Sequence, residues 1–265
     1  MMKKYLIAII TLVSITLTCL GHEYVLLAYK YFLKMGDQLE VHLFVADGFN
    51  IQFERPLQKP LTRKFELITK TGVTDLSTDA NGRLPVIDRK VDFEGGGLIH
   101  MERDFSRISL TTDKFLSYLK EDHLGGIREK VNLKKDVQKE RYSRYLKCLV
   151  QSGPDRSDTL FKTALGQSLE IILLDNPYKL KLGEELHVRI LFMGKPLVKK
   201  IISARIRNGS HPSLLFNAST NKDGICSFKI LNKGEWFIHL THMIECPDKG
   251  DADWESFWAS YSFGI

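Results

Sequence analysis

The chain has 265 residues, 43% of them apolar and 26% charged, with a formal net charge of +6. That composition excludes a disordered or low-complexity polymer. The weak positive balance and the lack of any nucleic-acid motif exclude a nucleic-acid-binding protein. The length suits one large domain or two small ones.

In chain order, the first element is a basic pair, Lys3 and Lys4, followed by an apolar run from Tyr5 to about Leu20 that closes on Cys19-Leu20-Gly21. Basic, apolar and small-residue regions in that order predict a secretory signal over residues 1–21. The run is short for a membrane span and is interrupted by Thr and Ser. No later stretch is long and apolar enough to span, so the mature chain is expected to be exported, periplasmic or beyond, without a transmembrane segment.

An internal repeat organises the rest. Tyr31-Phe-Leu-Lys-Met-Gly-Asp-Gln-Leu-Glu-Val-His-Leu returns as Tyr178-Lys-Leu-Lys-Leu-Gly-Glu-Glu-Leu-His-Val-Arg-Ile. Each copy has a Gly-acid turn and then strict alternation: Leu39, Val41, Leu43, Val45 in one, and Leu186, Val188, Ile190, Phe192 in the other. Such alternation predicts a half-buried strand, and the shared lead-in predicts two related β-sandwich domains.

Between the copies, Thr112 is expected to cap a helix through Leu119. A second helix, from Ile127 to about Val150, is expected from the spacing of Ile127, Val131, Tyr142, Tyr145, Leu146 and Leu149. Gly153-Pro154-Asp155 then breaks the chain. Further strands are expected at Ile201–Arg207, Ile225–Ile230, Trp236–His242 and Trp258–Ile265, with turns at Gly194-Lys-Pro-Leu and Asn221-Lys-Asp-Gly224. The expected fold is mostly β: two immunoglobulin- or transthyretin-like sandwiches, residues 22–110 and 156–265, joined by a helical insert at 111–155.

Cysteine is sparse. Cys19 lies in the signal, leaving Cys148, Cys226 and Cys246, and an odd count leaves at least one free thiol. Ser227–Leu231 and Glu235–Ile244 read as a hairpin around Asn232-Lys233-Gly234. Its register would hold Cys226 and Cys246 roughly 20 Å apart, beyond disulfide reach.

At this point the chain resembles a family. The residues are His22-Glu-Tyr after the signal, Phe115-Leu-Ser-Tyr-Leu, Glu140-Arg-Tyr-Ser-Arg-Tyr-Leu-Lys147, Leu165-Gly-Gln-Ser-Leu-Glu-Ile, Asn176-Pro-Tyr, Gly194-Lys-Pro-Leu and the terminal Trp254…Trp258-Ala-Ser. Together they are similar to the exported NikM-like family, labelled as a nickel or cobalt uptake component and mostly of unassigned function. The resemblance implies a periplasmic β-sandwich protein that handles a transition metal.

The residues suggest how. Cleavage after Gly21 would make His22 the first residue, so that its α-amine and imidazole chelate one ion. Those nitrogens suit Cu, Ni, Zn and Co, and the amine titrates low enough to deprotonate onto a metal. His239 and His242 are further candidates on one strand, but at that spacing they face opposite sides. His242 is favoured because it nears the strand end. His100, after Gly95-Gly-Gly, is a fourth candidate, whereas His42 and His187 alternate with buried positions and are expected to face outwards. The acidic loop Glu245–Asp253 is a solvated turn or a holder of a hard cation. On the expected second helix, Arg141, Arg144 and Lys147 share a side that suits an anionic chelate or a partner.

Enzyme signatures are absent: no Gly-x-Ser-x-Gly elbow, no His-Glu-x-x-His, and no helix after Gly95-Gly-Gly. The leading expectation is a non-enzymatic exported protein that binds nickel, cobalt or copper and delivers it to a membrane transporter component. The alternatives are a metal-free sandwich module that docks a membrane or surface partner and, last, a copper-dependent oxidative enzyme built on the same amino-terminal chelate.

Overall fold

The computed structural model describes residues 23–209 and 213–265. The signal segment and His22 lie outside the described residues. The elements follow in chain order as β1 (Glu23–Ala28), β2 (Phe32–Leu33), β3 (Gln38–Asp47), β4 (Asn50–Glu54), β5 (Thr62–Thr69), β6 (Gly72–Asp75), β7 (Ile87–Lys90) and β8 (Gly95–Thr111). Then come helices α1 (Thr112–Glu121) and α2 (Gly125–Arg128), and β9 (Val137–Ser152). The second half holds β10 (Leu169–Leu173), β11 (Glu185–Phe192), β12 (Lys195–Pro196), β13 (Ile201–Arg207), β14 (Leu214–Ser219), β15 (Ile225–Lys229), β16 (Glu235–Glu245) and β17 (Trp254–Gly264).

Among the described residues these strands form three sheets. The repeated segments become β3 and β11, and each is the hub of a four-stranded sheet. β3 pairs with β1 on one side and with β7 and β4 on the other, and β11 pairs in the same way with β10, β15 and β12. The third sheet has nine strands in the order β14-β13-β16-β17-β9-β8-β5-β6, with β2 beside β9. It runs without a break from one half of the chain to the other, joined where β17 lies parallel to β9 from Trp254↔Glu140 to Ser262↔Cys148.

The two small sheets cover opposite faces of the large one. In β9, Leu146, Cys148 and Val150 pack with Leu26, Leu39, Val41 and Leu43 of the first small sheet. Tyr145 and Leu149, on alternate positions, pack with Leu169, Ile171, Val188 and Ile190 of the second. The helical hairpin sits on the first face, beyond the end of the small sheet. There Phe115, Tyr118 and Leu119 pack against Met243, Trp254 and Trp258. Among the described residues no helix is long and apolar enough to cross a membrane.

Two expectations are corrected. Residues 127–150 are not a helix: α2 ends at Arg128 and the rest is strand β9. This strand is covered on both faces, so apolar residues fall at consecutive positions and its period-2 signal is lost. The expected hairpin at 227–244 does not form either. β15 pairs with β11 in a small sheet, whereas β16 pairs with β13 and β17 in the large one. The link between them crosses layers, and Gly234, at φ 140, closes it against Ile265. Cys148, Cys226 and Cys246 are nevertheless free and buried.

Candidate functional site

β1 crosses the first face of the large sheet near the middle strands, where the Ser260 hydroxyl of β17 donates to the Tyr24 carbonyl at 3.1 Å. This crossing brings Glu23 beside β16. Glu23 Oε1 stands 2.6 Å from His239 Nδ1, and Phe237 stacks on the same imidazole, with ring centroids 5.1 Å apart. The other ring nitrogen, Nε2, is buried and has no hydrogen-bond partner among the described residues. A small cavity of about 30 Å³ opens here, lined by His239 and Thr241 of β16, Ser203 of β13 and Glu121, Asp122 and His123 at the end of α1.

Asp122 completes the cluster. Its carboxylate accepts from the Thr241 hydroxyl at 2.7 Å. Burial pushes its pKa up to about 6, and nearby Glu23 adds to the rise, while the Thr241 bond, His239 and Lys200 oppose it. Burial in turn pulls Lys200 down to about 8. A carboxyl and an ammonium held this close to neutrality are common at functional sites.

The predicted ligands that are described, His100, His239 and His242, do not converge. His242 points to the opposite face, where its ring meets Phe192 with centroids 4.3 Å apart. Burial, with Lys200 adding, lowers its pKa to about 4. His100, only 1% exposed, also lies on that second face, the one Leu98 shares. Its Nε2 is 2.8 Å from Glu66 Oε2. Of the two candidates on β16, it is therefore His239, and not the favoured His242, that shares a face with β1. His42 is held between Glu40 and Glu54 and His187 bonds Asp175. Among the described residues no three His, Cys, Asp or Glu side chains form a ready-made metal site.

The cation row is also corrected. On a strand, Arg144 faces away from Arg141 and Lys147. Arg141 is tied to Asp251 and Glu255, and Lys147 is buried against Glu170 at 2.7 Å. Arg144 has no ion pair among the described residues and lies over the Tyr24 ring at 3.9 Å. The acidic loop before β17 holds its own cations: Asp251 takes Arg107, Asp253 takes Lys135 and Glu245 takes Lys249. Sequence reasoning missed Asp122 and the anchoring role of Glu23. Asp122-His123 at the end of a helix was the available signal, but nothing local tied it to β16.

A crystal structure titled as a tetra-tandem repeat in the extending region of a large adhesion protein is similar at 8% identity and a TM-score of 0.21. The match covers 92% of this chain and 49% of that one, so the chain spans about half the length of that structure. No curated protein sequence matches the chain. A family model does match, over residues 19–244, and its description is domain of unknown function, DUF4198. That match takes in β1 through most of β16, hence every side chain of the cluster, and the chain belongs to the DUF4198 family.

Proposed function

We propose that this is an exported protein that binds a transition-metal ion of the nickel, cobalt or copper class and passes it to a membrane uptake component. The observation that carries the reading is His239. Its Nδ1 is anchored by the Glu23 carboxylate and its Nε2 is buried and unpartnered. A carboxylate that fixes one nitrogen of an imidazole while the other stays free is the usual outer-shell arrangement of a metal-ligating histidine. His22 is bonded directly to Glu23, so signal cleavage after Gly21 would put an α-amine and a second imidazole one residue from the carboxylate that holds His239. The ligands would then be the His22 amine and imidazole and His239 Nε2, with Asp122 next to them. Nitrogen-rich sets of this kind favour the late first-row ions.

The test is calorimetric titration of the naturally exported chain, its amino terminus sequenced, with Ni(II), Co(II) and Cu(II). His22→Ala and His239→Ala should each abolish tight binding. Glu23→Gln should weaken it by roughly 10–100-fold, as loss of an outer-shell partner does. His242→Ala should leave it unchanged. Full affinity in both the His22 and His239 variants would sink the reading.

A further inference from the structure

We infer that the first face of the large sheet carries an oxyanion-binding site built from Arg103 of β8 and Arg144 of β9, with Arg55 at its margin. Arg103 and Arg144 are direct cross-strand partners. Like charges placed so are mutually repulsive, and these two are only 3% and 9% exposed. Burying a charge without a partner is costly, yet neither guanidinium has an ion-pair partner among the described residues. Arg103 donates through Nη2 to the Gln58 side-chain carbonyl at 2.9 Å, and its Nε and Nη1 are buried without acceptors. The Nε atoms of Arg144 and Arg55 are orphaned in the same way.

The rest of the neighbourhood behaves differently. Around the irregularity that follows Arg103 in β8, Arg63 is paired with Asp104, Arg107 with Asp251, and Arg141 with Asp251 and Glu255. Asp104, Asp251 and Glu255 are thus engaged by the outer cations. Residues 1–22 and 210–212 contain no Asp or Glu, so the rest of the chain has no acidic side chain to offer. Glu140 feels the charge of Arg144, but it is bonded by Tyr118 and Ser256, and burial raises its pKa to about 7.

Aromatic rings hold the guanidiniums in place. Tyr24 lies 3.9 Å from Arg144 and 5.3 Å from Arg103, Tyr142 lies 4.5 Å from Arg144, and Trp258 lies 5.9 Å from it. Stacking fixes the planes and leaves the in-plane N–H donors for an acceptor. Two guanidiniums in that arrangement match a carboxylate or a phosphate group, which takes paired N–H bonds. The proposal does not depend on metal binding.

The experiment is thermal unfolding of the full exported chain in EDTA, titrated with sodium phosphate, with sodium succinate, and with sodium chloride at matched ionic strength. The phosphate and succinate arms decide which oxyanion is preferred. The preferred anion should raise Tm saturably, on the order of 5 °C at a hundredfold excess over Kd, and should change Trp258 fluorescence over the same range. Arg144→Gln and Arg103→Gln should each remove both effects, and Arg63→Gln should retain them. If one Gln variant fails to fold, the other carries the comparison. An anion effect no larger than that of chloride, or one that persists in the Gln variants, overturns the proposal.

Discussion

Buried acids and buried imidazoles respond to pH with opposite signs, and this protein contains both. Glu140 accepts from Tyr118 at 3.2 Å and from Ser256, and burial lifts its pKa from 4.5 to about 7. The folded state therefore holds a proton that the unfolded state has released. Its contribution is full below pH 4.5 and is lost as pH rises towards about 7. Asp122 acts in the same direction up to about 6. His242 is the converse: burial moves it from 6.5 to about 4, so stability rises as pH climbs from 4 to 6.5. Each unit of separation is worth about 1.4 kcal/mol. Between pH 4.5 and 6.5 the terms partly cancel. Denaturant melts across pH 4–8 should show Glu140→Gln with a more positive slope of stability against pH than the parent. His242→Gln should show a more negative slope than the parent. Profiles parallel to the parent in both variants would contradict the burial argument.

At the scale of elements, β9 is the strand on which the architecture turns, and Lys147 ties it to a small sheet. Its ammonium donates to Glu170 of β10 at 2.7 Å and to the Ile171 carbonyl at 3.0 Å. Glu170 also accepts from the Leu165 amide at 2.6 Å and the Gly166 amide at 3.1 Å. Both side chains are 2% exposed. Removing one partner strands the other charge in the core, so Lys147→Met should cost roughly 3–5 kcal/mol. The double variant Lys147→Met/Glu170→Gln keeps an acceptor for the Leu165 amide and should recover more than half of that loss. Urea melts arranged as a double-mutant cycle give the coupling directly, and additive losses would show that the pair is no tie.

The same strand explains what could be read in advance. β3 and β11 bury every second side chain along most of their length, so burial writes a period of two into their sequences. β9 is buried on both faces from Ser143 to Ser152, and Tyr142, Tyr145, Leu146 and Leu149 also satisfy helical spacing. The site was legible in part for a related reason. His239 was visible as a residue type, and its separation from His242 follows from strand geometry. Glu23, Asp122 and Arg103 come from three other elements, and their approach depends on pairings that one sequence does not reveal.

For the whole molecule, the repeat is a statement about symmetry. The order β6-β5-β8-β9 in one half mirrors β14-β13-β16-β17 in the other, and each half carries its own small sheet. The central strands are parallel and the small sheets lie on opposite faces. A pseudo-twofold axis along the strands relates halves arranged in this way. Neither half closes its core alone, because β17 lies between β9 and β16 and is buried along its whole length. Its Phe257, Ala259, Tyr261 and Phe263 fill the second core, while Ser260 and Ser262 donate to the Tyr24 and Leu26 carbonyls of β1 in the first half. Loss of the last strand therefore exposes both halves together. The chain should unfold in a single transition, with calorimetric and van't Hoff enthalpies equal and with tryptophan fluorescence and far-ultraviolet circular dichroism coincident. Truncation after Asp253, which deletes β17, should abolish folded structure in both halves by amide exchange. Two resolved transitions, or a protected first half in the truncated chain, would mean that the shared sheet joins two units that are already stable apart.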